Sequence, residues 1–257
     1  YEITDKETNQ KYVAKILQNS SGNLNRIKIF FKEVEILSKF NSPFILKYIG
    51  YNLTDLKGKS SPTIINEFAQ NDTLTKLIEK ETLNLAPSEW NDTKKLIVIY
   101  GIASGMAHIH SKGVNHHSLS SGNIFLDDYL IPKISGFELA TFEKNETVLV
   151  KNGDSKKELY LAPEIIKNEK YTKASDVYSF SLIVYEIITG KKPYGKPPNY
   201  FQFLSDIANG KRFEIDEKVP LSYANLMRKC WSQDPKERPT FDEIVTLLKS
   251  DKSFITD

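Results

Sequence analysis

The hydrophobic period of this chain changes partway along it, and that change limits the fold more than any other feature. Over residues 1–68 the apolar residues fall in short strand-like runs, broken once by a helical stripe. Residues 1–17 predict two strands joined by a polar turn at 5–10, the second being Lys11-Tyr12-Val13-Ala14-Lys15-Ile16-Leu17. Ile27, Phe30, Phe31, Val34 and Leu37 recur at helical spacing and predict an amphipathic helix of about 15 residues. Asn41-Ser42-Pro43 stops it. Two further strands are predicted near 45–53 and 63–68, around a polar turn at 55–62. From Asp72 onward, apolar stripes at 94–110, 174–189, 200–208, 221–231 and 241–248 predict helices. No internal repeat or low-complexity segment interrupts them. The expectation is an α+β chain in two lobes with a cleft between them.

At 257 residues the chain can bury a substantial core. A net charge of +2 leaves no footprint for nucleic acid or an anionic membrane. The pairs Lys94-Lys95, Lys156-Lys157 and Lys191-Lys192 read as solvated surface. Cys230 is the only cysteine, so no intrachain disulfide can form, which fits a reducing compartment and a cytoplasmic location. No apolar run approaches the roughly 20 residues of a membrane helix. The longest, 180–188, contains Glu186 and suits a buried helix. His108 and His110 lack the nearby cysteine or carboxylate cluster that a zinc site needs. The chain opens inside what reads as a strand, without an initiator Met, and is expected to be an excerpt of a longer polypeptide.

Motifs carry the reading further. Tyr12-Val13-Ala14-Lys15 is followed 18 residues after the lysine by Glu33, on the predicted helix. Glu67-Phe68-Ala69-Gln70-Asn71-Asp72-Thr73-Leu74 leads into the helical part. Then come Val114-Asn115-His116-His117-Ser118-Leu119-Ser120-Ser121-Gly122-Asn123, Lys133-Ile134-Ser135-Gly136-Phe137-Glu138, Ala162-Pro163-Glu164, Ser175-Asp176-Val177-Tyr178-Ser179-Phe180, Cys230-Trp231 and Asp234-Pro235-Lys236-Glu237-Arg238-Pro239. In this order and spacing the chain resembles the protein kinase superfamily, in its tyrosine-kinase-like branch, over nearly its whole length. The resemblance implies the bilobal kinase fold over 1–257, with an antiparallel-sheet lobe at 1–68, a hinge at 67–71 and a helical lobe at 72–257. The family's first strand and Gly-rich loop would lie before Tyr1. It also implies a nucleotide site at Val13, Lys15, Glu33, Glu67, Phe68, Ala69, Asn123 and Phe125, an ion pair between Lys15 and Glu33, and another between Arg238 and Glu164. Leu37, Tyr48, His116 and Phe137 would stack as a spine anchored at Asp176. Phe125 would either crowd adenine or stack on it.

Two positions depart from the family where its chemistry resides. Ser118 stands in place of the catalytic aspartate, and a neutral hydroxyl is too weak a base to accept the substrate proton. Gly136 stands in place of the metal-binding aspartate and offers magnesium no ligand. Asn123 remains at the second metal position, either bracing the loop or as a weak ligand. Ser120 replaces a lysine near the γ-phosphate, His117 an arginine that docks a phosphorylated activation loop, and Lys157 a threonine of serine/threonine kinases. Glu138 replaces a hinge glycine and would compete with Glu33 for Lys15. The triplet Gly136-Phe137-Glu138 is similar to that of mixed-lineage-kinase-domain-like pseudokinases. The expectation is a pseudokinase acting as a signalling scaffold or allosteric switch on protein partners, an active kinase among them. It would bind ATP, if at all, without magnesium. The alternative is an active serine/threonine or tyrosine kinase in which Glu138, Asp127 or Asp128 replaces the lost carboxylates, although Asp127 and Asp128 read as turn residues. Thr141, Thr147, Ser155 and Tyr160 lie in the activation segment as candidate phosphorylation sites.

Overall fold

The computed structural model describes residues 1–17, 24–59, 61–143, 159–167, 169–195 and 199–255. Its first part is a four-stranded antiparallel sheet with one helix. The strands are β1 (Glu2–Thr4), β2 (Lys11–Ile16), β3 (Tyr48–Asn52) and β4 (Thr63–Glu67), in the order β1-β2-β4-β3. Asp5 closes the first hairpin: its carboxylate accepts from the backbone N–H of Glu7 and Thr8, both at 2.8 Å. Helix α1 (Leu24–Leu37) buries Phe30, Glu33, Ile36 and Leu37, with Phe30 edge-on to Tyr51 of β3 and Glu33 paired with Lys15 of β2. Phe31, expected on that face, is instead 43% exposed, while Ile36 is fully buried. Phe31 lies one residue beyond Phe30, about 100° around the helix, so the two cannot share a narrow stripe.

The second part is built on α2 (Leu74–Thr82), α3 (Asp92–Ser111), the single turn α4 (Pro163–Ile166), α5 (Lys173–Thr189), α6 (Tyr200–Ala208), α7 (Leu221–Cys230) and α8 (Phe241–Ser250). The five apolar stripes all became helices, with ends shifted by at most two residues. Capping accounts for two of the starts. Thr172 and Ser175 form a reciprocal capping box at α5, as Thr240 and Glu243 do at α8. Gly190, at φ 68°, ends α5. Helix α5 is buried on every face from Ser175 to Ile187 and forms the centre of the core, Glu186 included.

Short strands that periodicity could not reveal lie among these helices. They are β5 (Asn71–Thr73), β6 (Val114–Asn115), β7 (Ile124–Leu126), β8 (Pro132–Ile134) and β9 (Thr141–Phe142). Two or three residues carry no readable alternation. Strands β5-β7-β8 form one small sheet and β6-β9 another. Asp127 shapes the β7–β8 turn by accepting from Tyr129 and Ile131 N–H. The two parts join where Leu46 N–H donates to Ile134 O at 2.9 Å. The result is the expected small antiparallel-sheet lobe and larger helical lobe.

Of the lysines expected on the surface, Lys95 departs from that expectation, Lys94 is half-buried, and Lys191 and Lys192 are exposed. Lys95 is buried and lies 2.6 Å from Glu81, and Lys192 reaches the buried Glu186 at 2.9 Å. Lys156 and Lys157 fall outside the described residues. Among the described residues no helix is long and apolar enough to cross a membrane.

Candidate functional site

The cleft between the lobes has a volume of about 370 Å³ and is lined by Val13, Lys15, Glu33, Asn123, Phe125 and Gly136 among others. Strand β2 is central in its sheet, paired through Lys15↔Ile64, and this fixes where Lys15 can point. Its Nζ lies 2.8 Å from Glu33 Oε1 on α1, so the expected ion pair is present. It also lies 2.8 Å from Glu138 Oε1. Glu138 therefore shares the lysine with Glu33 rather than displacing it. Burial works against the charge on Lys15, but the two carboxylates outweigh it and hold the amine above its ordinary range. Glu33 is pushed up, first by burial and further by the charge of Glu138, with Lys15 opposing.

Phe125 lines the cleft, and so does Asn66, a residue that no sequence pattern singled out. Glu67, Phe68 and Ala69 are not among the lining residues. Glu67 turns its carboxylate away, accepting from Lys47 N–H at 2.9 Å, and Phe68 lies under the Lys11 ammonium.

The loop from His116 to Asn123 is held from below by Asp176, in the first turn of α5. The Asp176 carboxylate accepts from His116 N–H at 2.8 Å, His117 N–H at 3.0 Å, His110 Nε2 at 2.9 Å and the Tyr171 hydroxyl at 2.9 Å. Burial alone would raise its pKa. The His110 hydrogen bond and charge, with His116 and His117 beyond, hold it down to about 2. His117 sits at φ 64°, a conformation a side chain rarely adopts, and its ring stacks on Tyr171 at 3.8 Å. Burial lowers the pKa of His117 to about 4, so the ring is neutral near pH 7. It does not supply the cation of the arginine it replaces. His116 packs edge-on against Phe137, with centroids 4.8 Å apart, and Leu37 is buried beside the cleft. Phe40 also meets Phe137, at 5.1 Å, a contact the sequence did not signal.

At the two departing positions the geometry is closed. Asn123 Nδ2 donates to Ser118 O at 2.6 Å and to Ser118 Oγ at 3.0 Å. Asn123 thus braces the loop. Gly136 has φ 85°, and a Cβ there would stand 2.5 Å from Asn123 Cγ. The asparagine fills the space a side chain at 136 would need. We expect Gly136→Ala to cost about 2 kcal/mol, from left-handed strain and this overlap. In an Asn123→Ala background urea unfolding should show a smaller penalty. Equal penalties in both backgrounds would mean the overlap is not with Asn123.

Two candidate modification sites are closed in this structure. Tyr160 is buried, donating to Glu186 Oε1 at 2.8 Å and bonded to Ser121 Oγ at 3.0 Å. Thr141 is buried against His117 Nε2 at 2.7 Å. Thr147, Ser155 and Lys157 lie outside the described residues. Arg238 and Glu164 form the expected pair, bidentate at 2.8 Å and buried.

Comparison with known proteins agrees with this geometry. The family described as protein tyrosine and serine/threonine kinase matches residues 1–248. The chain is 31% identical to the probable serine/threonine-protein kinase drkD of Dictyostelium discoideum, over 91% of its own length. It is 32% identical to the dual specificity protein kinase pyk3 of the same organism, over 95%. It spans 17% of the length of each of these relatives.

Proposed function

This chain belongs to the family of protein tyrosine and serine/threonine kinases, and on that premise we propose that its domain is a pseudokinase that signals by conformation. One observation carries the reading: Gly136 and Ser118 remove both carboxylates, and Asn123 is committed to bracing the space between them. Phosphoryl transfer depends on positioning and on electrostatic stabilisation of the transferring group. The family's magnesium prefers near-octahedral oxygen ligands, with one or two carboxylates among them. The residues at these family positions offer a single amide oxygen, on Asn123, and do not fit that metal. The frame around the site is assembled none the less. Lys15 tethers α1, His116 supports Phe137, and Arg238 holds Glu164. A rigid kinase frame without its chemistry suits a scaffold or allosteric partner of other proteins, an active kinase among them, in the reducing cytoplasm that a single buried Cys230 tolerates.

The names of the relatives favour a second reading, an active kinase with an atypical site. It requires a replacement carboxylate. Glu138 is engaged by Lys15, and Asp127 is engaged in its turn. A phosphotransfer assay with magnesium or manganese and a generic protein substrate separates the two. The pseudokinase reading expects transfer at least about 10²-fold below that of an active kinase domain, the scale of a lost positioned base. Turnover at ordinary kinase rates would establish the second reading instead.

A further inference from the structure

The charges that line the cleft point to the class of ligand it takes. Of the lining side chains, Lys15, Glu33 and Glu138 are charged, and together they leave one net negative charge. Lys15 is the cation that would meet a phosphate. Two carboxylate oxygens, each 2.8 Å from its Nζ, already neutralise it. A nucleoside triphosphate would bring several further negative charges to this spot, with no carboxylate at Gly136 to hold a bridging metal. In a partly buried site, repulsion between like charges is screened much less than in water. The remainder of the cleft suits an uncharged planar group. Phe125 presents an aromatic ring, Val13, Ala14, Leu37 and Leu46 are apolar, and Asn66 offers an amide.

Resting on the pseudokinase reading, we propose that the cleft binds an uncharged heteroaromatic ligand of the nucleoside class and selects against nucleoside polyphosphates, with Glu138 as the residue that sets this selectivity. Glu138 acts by occupying Lys15 and adding the charge that a polyphosphate must oppose. Its side chain is 40% exposed on a single turn beside Phe137, so replacing it leaves the core intact.

Calorimetry on the purified chain tests this with three probes: adenosine, ATP, and ATP with magnesium. The wild type should bind adenosine at least about tenfold more tightly than ATP, with magnesium making no difference. Glu138→Gln should tighten ATP binding by about tenfold and change adenosine binding far less, because the charge opposing phosphate has gone and Lys15 keeps only one of its two carboxylates. Tighter binding of ATP than adenosine by the wild type, without metal, overturns the selectivity and leaves the pseudokinase reading standing. ATP binding that tightens strongly with magnesium overturns both. Failure of adenosine to bind overturns the nucleoside assignment, while the phosphotransfer assay continues to decide the pseudokinase reading. Equal gains for ATP and adenosine in Glu138→Gln remove Glu138 from its role.

Discussion

Replacing Asp176 with alanine should leave the domain largely unfolded. The carboxylate is fully buried and accepts from two backbone N–H groups, a histidine and a tyrosine. Each buried donor left without a partner costs about 1–3 kcal/mol, and several are lost together. A domain of this kind has only about 5–15 kcal/mol in total. The damage would centre on the His116–His117 backbone, where His117 is held at φ 64°. Asp176→Asn keeps one acceptor oxygen, so it should fold with a lower melting temperature. Circular dichroism and thermal melts of both variants check the ranking. A well-folded Asp176→Ala protein with an unchanged melt would remove Asp176 from its anchoring role. The same group sets an acid limit. Its folded pKa of about 2 lies below the ordinary carboxylate value of 3.8. The stability it contributes is therefore fully present above about pH 4, and is lost as the pH falls through 2.

Arg238→Ala should cost about 3–5 kcal/mol, because it strands the Glu164 carboxylate in the interior. The guanidinium makes two parallel 2.8 Å bonds to Glu164 and also donates to Ala174 O and Ser232 O at 2.9 Å. It therefore ties α4 to the start of α5 and to the segment before α8. Burial alone would raise the Glu164 pKa, but the hydrogen bonds and charge of Arg238 hold it below its ordinary value. For a domain of this size the loss corresponds to a melting temperature lower by about 10 °C. Replacing both partners with apolar residues of similar volume should recover part of it, since no charge then remains buried. A double-mutant cycle measures the coupling, and a coupling near zero would show that each residue is held by its other contacts alone.

The ion pairs at Lys15–Glu33 and Arg238–Glu164 could be read in advance because each partner sits in a motif of its own, at a spacing that the resemblance to kinases interprets. The helices could be read because 9 to 20 residues give a period enough turns to show. The small strands from β5 to β9 could not, being too short to alternate. Lys95 looked solvated because its partner Glu81 belongs to a different helix, and Phe31 looked buried because a neighbouring phenylalanine was. Tyr160 looked like a modifiable loop residue. Only the approach of Glu186 and Ser121 shows its hydroxyl to be enclosed.

The order of the motifs, the switch from strand to helical period, and the absence of carboxylates at 118 and 136 were settled by the sequence, since they are facts of covalent composition that no packing alters. How the protein fills those absences was decided by tertiary structure alone. Asn123 occupies the room beside Gly136, Glu138 joins Glu33 on Lys15, and Asp176 gathers donors from as far as 66 residues away. Each of these depends on a distance of about 3 Å between groups on different elements, and a hydrogen bond or ion pair has no strength until the chain has closed that distance.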